Sequence, residues 1–215
     1  MENIKLLDEL TYDQNSINRN LYSSGPYWNH KNLRTAYEIK KKGILNFRGM
    51  TTGIGTSFVD NVLYDIRNEI SYKFTGRIIS RLLSLPMIKK FHNSQLKITE
   101  YHAKNALKNL SLLYKKDETV NMLIKKYKFE NTTEFGCLRK FNINGIDYSY
   151  IYVEMGHRTD IISKNVDFTN IKSVFEIGGG FGANIHFLLT NFSNIKKIIY
   201  LDAVPNLYVG TEYLK

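Results

Sequence analysis

Cysteine is nearly missing from this sequence: Cys137 is the only one in 215 residues. No intrachain disulfide can form, and no cysteine-based metal cluster can assemble. Proline is almost as scarce, with three residues, and no proline-rich linker divides the chain. Long apolar runs are absent as well; nothing approaches the roughly 18 consecutive apolar residues of a membrane-spanning helix. The opening segment, MENIKLLDEL, contains three acidic residues and no extended apolar core, so no secretory signal is expected there. A cytoplasmic protein without a membrane span is the expectation.

Negative charge is also in deficit, since 20 Asp and Glu stand against 30 Lys and Arg, for a net charge of +10. Such an excess suits a polyanionic partner. The lysine clusters, however, are scattered: Lys40 to Lys42, Lys89-Lys90, Lys115-Lys116 and Lys125-Lys126. Dispersion of this kind points to solvated faces rather than to a nucleic-acid footprint. Composition is otherwise that of a globular protein, and the length allows one domain or two. Oligomeric state is left open.

What is present divides into three regions. Residues 1–133 read mainly as helices. HKNLRTAYEIKKKG stops at Gly43, and TSFVDNVLYDIRNEI aligns Phe58, Val62, Leu63, Ile66 and Ile70 on one face. GRIISRLLSLPMIKKFH repeats that pattern until Pro86. EYHAKNALKNLSLLYKK follows, then DETVNMLIKKYKF with Asp117 as its cap. Core packing is the expected use of these apolar stripes. Residues 134–170 form a hairpin and connector, with Asn144-Gly145 as the turn signal. Tyr148, Tyr150 and Tyr152 suit either a strand or a helix capped by Ser149. Residues 158–170 read as a connector.

Residues 171–215 contain the most informative stretch, SVFEIGGGFGANIHFLL. The β-branched and aromatic run SVFEI reads as a buried strand. ANIHFLLTN reads as a helix with Ile185, Leu188 and Leu189 inward. Between them lie Gly178, Gly179, Gly180, Phe181 and Gly182. A strand that turns tightly into a helix needs residues that accept positive φ and carry no Cβ where a ligand meets the backbone. The helix start supplies unpaired N–H groups. A second buried strand, Ile198 to Leu201, ends at Asp202, a carboxylate positioned to accept hydrogen bonds from ribose hydroxyls. The order of strand, glycine turn, helix, strand and acid defines a nucleotide-type site.

Gly178-x-Gly180-x-x-Ala183 also satisfies the loose dinucleotide fingerprint. Against a nicotinamide cofactor stand Glu176, two residues ahead of the first glycine, the alternating E-x-G-x-G-x-G spacing, and the motif's late position. With Glu176, Gly178, Gly180, Gly182 and Asp202, the sequence resembles the class I S-adenosyl-L-methionine-dependent methyltransferases. The resemblance implies that Glu176 helps hold the methionine amino group. It also implies that the turn from Gly178 through Gly179, Gly180 and Phe181 to Gly182 binds the cofactor, and that Asp202 takes the ribose. A narrower resemblance includes GPYWNHKNLRTAYEIKKKGILNFRG, residues 25–49, and the hairpin of residues 134–147. These segments are similar to bacterial sugar O-methyltransferases, which implies a sugar, nucleotide-sugar or glycan acceptor. One departure is the extra residue in Asp202-Ala-Val-Pro205, where that group commonly reads Asp-Leu-Pro.

The implied fold is α/β: a mainly helical N-terminal region, then the first strand-helix-strand unit of a Rossmann-like methyltransferase domain, incomplete at the C-terminus. Methyl transfer requires an aligned acceptor oxygen and removal of its proton. In the resembled class the acceptor usually meets loops after later strands, so this chain is expected to be a fragment lacking the acceptor half and inactive alone. A permuted order would need an upstream Asp/Asn-Pro-Pro-aromatic loop, and none exists. His157 and His186 flank the glycine motif, but residue type and spacing assign no catalytic residue and no metal ligand. The competing readings are an NAD(P)-dependent oxidoreductase, a basic nucleic-acid methyltransferase, and a catalytically empty binding module.

Overall fold

The computed structural model describes residues 3–16, 112–135, 137 and 140–215, together with 32, 35, 36, 39, 40, 43–45 and 47. The apolar stripes of residues 57–70 and 76–92 lie outside the described residues, as do most of the helix expected at 100–116 and most of segment 25–49. The described part is a mixed α/β structure. Helices α1 (Ile4–Ser16) and α2 (Glu118–Lys126) precede a hairpin of β1 (Lys140–Ile143) and β2 (Ile146–Ser149). Helix α3 (Tyr150–Ile162) leads through a short 3₁₀ turn at Phe168–Asn170 to β3 (Ser173–Ile177), α4 (Ala183–Asn191), β4 (Lys197–Leu201) and α5 (Val204–Tyr213).

Local chemistry explains several of these boundaries. Asp117 caps α2 by accepting from the amides of Thr119 and Val120, a contribution of about 1 kcal/mol. Asn144 and Gly145 both hold positive φ, 52° and 86°, as a two-residue hairpin turn with the twist of its strands requires. Gly43 adopts φ 73° and its amide donates to the Ile39 carbonyl, so the expected stop is a left-handed helix end. The tyrosine run divides between strand and helix: Tyr148 lies in β2, and Tyr150 and Tyr152 lie in α3, which starts at Tyr150. Ser149 stands at its N-cap position without a side-chain capping bond. Because α3 continues to Ile162, the connector is shorter than the sequence suggests and begins at Ser163.

One apolar core joins these elements. Leu7 of α1, Leu123 of α2, Phe141 and Tyr148 of the hairpin, Tyr152 of α3, Phe187 of α4 and Tyr208 of α5 are all buried in it. Helix α1 packs along α5, and α3 packs on both α2 and α4. Gln14 Oε1 accepts from the amide of Val204 at 3.1 Å. That bond caps α5, whose own N-cap residue, Ala203, has no acceptor side chain.

Strands β3 and β4 pair in parallel, Ser173 opposite Lys197 through Ile177 opposite Leu201. Their helix-facing residues, Val174, Glu176, Ile198 and Tyr200, are half-buried. The other face is uncovered, so these strands, which read in sequence as buried, are covered on one side alone by the described helices. Phe175, Ile177, Ile199 and Leu201 are 59%, 70%, 51% and 54% exposed. The described helices cover one face of the pair, so period-two alternation turns the remaining apolar side chains outward. Helix α4 brings a smaller correction. Ile185 and Leu188 are buried as expected, but Leu189 is exposed and Phe187 takes the inward position.

Candidate functional site at the glycine turn

The candidate site is the turn from β3 into α4, held between the carboxyl ends of the two parallel strands. The ladder continues one residue past β3, where the Gly178 amide donates to the Leu201 carbonyl at 2.8 Å. The chain then reverses, and the Gly182 amide donates to the Gly179 carbonyl at 3.0 Å. Gly178, Gly180 and Gly182 hold φ of 70°, 63° and 88°, in the left-handed region that disfavours any side chain.

The glycines do different jobs. Gly178 is exposed, and a Cβ there would meet nothing within 4 Å, so its backbone is open to a ligand. Gly182 is buried at the N-cap of α4, and a Cβ would meet Leu214 Cδ1 at 3.0 Å. At Gly179 the obstacle is the site itself: a Cβ would fall 2.7 Å from Glu176 Cγ and 3.0 Å from Tyr200 Cε2. Phe181 is set apart from the other turn residues. Its ring is buried against Phe47 at 5.1 Å and Tyr213 at 5.2 Å between centroids, so it anchors the turn in the core.

Two carboxylates flank the turn. Glu176 accepts from Asn184 Nδ2 at 2.7 Å, which holds it beside the first turn of α4. Asp202 accepts from the Gly180 amide through Oδ2 at 2.7 Å. Its Oδ1 accepts from the Ala203 amide at 2.6 Å and from Asn206 Nδ2 at 2.9 Å. Asp202 therefore braces the glycine turn and the start of α5. Tyr200 completes the frame by donating its hydroxyl to the Gly180 carbonyl. Burial, reinforced by the charges of Asp202 and Glu176, pushes the Tyr200 phenol well above its ordinary range, so it acts as a neutral donor.

A cleft of about 540 Å³ opens on the Glu176 side of the turn, between α3 and the β3–α4 unit. Met155 and Arg158 of α3 form one wall, and Val174, Glu176, Gly178 and Asn184 form part of the other. Three turn features thus fit a nucleoside with an amino-acid end: an open glycine backbone, a carboxylate on each side, and a cleft of suitable size.

The two flagged histidines part company. His157 is exposed. His186 is half-buried, with Nδ1 2.6 Å from the Tyr152 hydroxyl, which lies 2.7 Å from that of Tyr213. Burial lowers the His186 pKa from its ordinary value, so the ring is neutral at pH 7. Among the described residues, no group of three or more His, Cys, Asp or Glu is arranged to hold a metal, and no helix is long and apolar enough to cross a membrane. Sequence reasoning missed Asn184, Tyr200 and Arg158. Tyr200 carried a usable signal, since it lies two residues ahead of Asp202 and alternation turns its side chain to the helix-covered face of the sheet.

Compared with known proteins, the chain matches no family model, no curated protein and no solved structure.

Proposed function

We propose that this chain belongs to an S-adenosyl-L-methionine-dependent O-methyltransferase acting on a sugar or glycan hydroxyl, and that its α/β unit is the start of a Rossmann-like cofactor domain. The observation that carries the reading is the turn itself: three positive-φ glycines between parallel strands, with Glu176 on the cleft side and Asp202 at the end of the neighbouring strand. Glu176 would meet the cofactor's amino group, the Gly178 backbone its middle, and Asp202 its ribose. When bound, the cofactor supplies an electrophilic methyl group. The protein's part is to orient it and exclude water. The sugar acceptor rests on the resemblance of residues 25–49 and 134–147 to sugar O-methyltransferases. No catalytic base is assigned among the described residues.

Calorimetric titration of the chain with S-adenosylhomocysteine, with NAD as competitor, tests the reading. Saturable binding of S-adenosylhomocysteine that NAD does not displace is expected. Displacement by NAD would instead make the turn a dinucleotide site.

A further inference from the structure

The cleft beside the glycine turn has an unusual charge content. Among the residues that line it, Glu176 is the only anion and Arg158 the only cation. The rest of the lining is largely apolar, including Ile151, Met155 and Val174. Arg158 lies on the cleft-facing side of α3, in helical register with Ile151, Met155 and Ile162. It is exposed, and it makes no hydrogen bond or ion pair with the described residues. The nearest acid in sequence, Asp160, is taken by Lys126 of α2. The Glu176 carboxylate is steadied by Asn184 on one oxygen and retains further acceptor capacity.

A cleft with one carboxylate, one free guanidinium and an apolar wall is complementary to an α-amino acid: ammonium toward the acid, carboxylate toward the arginine, aliphatic stem along the wall. The guanidinium fork suits a carboxylate in a way that a lysine would not. We propose that Arg158 binds the α-carboxylate of the cofactor's amino-acid end, making α3 part of the cofactor site. The assignment deepens the methyltransferase reading and rests on it. It also gives the site a means of telling the intact cofactor from adenosine derivatives that lack the amino acid.

The test is calorimetry on the full chain with two ligands, S-adenosylhomocysteine and methylthioadenosine, which keeps the nucleoside and thioether but lacks the amino-acid end. Arg158→Met and Arg158→Gln should each weaken S-adenosylhomocysteine by about 10-fold or more, the scale of a lost charge-assisted hydrogen bond. Methylthioadenosine should bind both variants within about 2-fold of the unaltered chain, since its nucleoside contacts are untouched. Arg158→Lys should restore part of the loss. Equal losses for both ligands, or none for either, would overturn the role of Arg158 and leave the cofactor reading standing. Failure of the unaltered chain to bind either ligand would overturn the cofactor reading and the arginine's role with it.

Discussion

Asp202 Oδ2 and the Gly180 amide nitrogen are 2.7 Å apart, so the carboxylate at the tip of β4 holds the glycine turn at the tip of β3. Removing that charge should therefore be felt twice. On the proposed cofactor reading, Asp202→Asn is expected to weaken S-adenosylhomocysteine binding by about 1–3 kcal/mol, the range for a charge-assisted hydrogen bond to the ribose. It should also lower stability by about 1–2 kcal/mol, because Gly180, Ala203 and Asn206 all donate to this one side chain. Calorimetry and urea melts separate the two effects. A binding loss equally large for a ligand without ribose hydroxyls would remove Asp202 from the ribose.

The glycine turn should respond unequally to substitution. Gly178→Ala pays only the backbone cost of a left-handed residue, about 1–2 kcal/mol, since nothing crowds its Cβ. Gly182→Ala bears the same cost and also pushes on Leu214, so it should be the more destabilising of the two in chemical denaturation. Gly179→Ala should displace Glu176 and reduce cofactor affinity more than stability. Similar stability losses at Gly178 and Gly182 would mean that Leu214 moves aside freely.

Tyr200→Phe removes a hydroxyl that donates to the Gly180 carbonyl. A buried acceptor left without its donor costs about 1–3 kcal/mol. Thermal and urea melts of the variant should show that loss, and an unchanged midpoint would mean that water replaces the hydroxyl.

His186 gives the fold a pH dependence. Burial holds its pKa below the ordinary value of 6.5, so the unfolded chain binds its proton first as pH falls. The stability tied to the neutral ring is complete above pH 6.5 and is lost as pH drops toward the folded-state pKa. Urea midpoints measured between pH 8 and about 5 should fall over the acidic half of that range. His186→Gln should flatten this part of the profile, and an identical slope in the variant would assign it to other groups.

The outward face of the strand pair, with Phe175 and Ile199 side by side and Ile177 beside Leu201, should drive self-association of the 215-residue chain. The amides of Gly178 and Lys197 mark the paired side of the ladder, which leaves Ser173, Phe175 and Ile177 with backbone groups aimed at an edge that no other described strand pairs. Sedimentation should show concentration-dependent mass that Ile177→Glu with Leu201→Glu reduces. A wild-type monomer at high micromolar concentration would count against the prediction.

The glycine unit was legible because its signals are local. SVFEI, the glycines, the following helix and Asp202 each declare themselves by residue type and period, and the hairpin at Asn144-Gly145 does the same. What the sequence hid depends on partners distant along the chain. Outward Phe175 and Leu201 look like buried strand residues because apolarity does not say which face a helix will cover. Leu189 and Phe187 exchanged places because a short helix with apolar residues all round has no single inward direction. Arg158 could not be placed in the same cleft as Glu176 without knowing that α3 packs on α4.

The bond from Val204 to Gln14 has a consequence for the order in which this molecule is made. Helix α1 leaves the ribosome well before α5, the helix it packs against and caps. Until α5 has emerged, Leu7 and its neighbours have no access to that part of their packing surface. The closing contact spans 190 residues, the kind of long loop that slows folding and leaves apolar surface waiting. The N-terminal helix should thus be the last element to settle and, in hydrogen exchange, among the first to open.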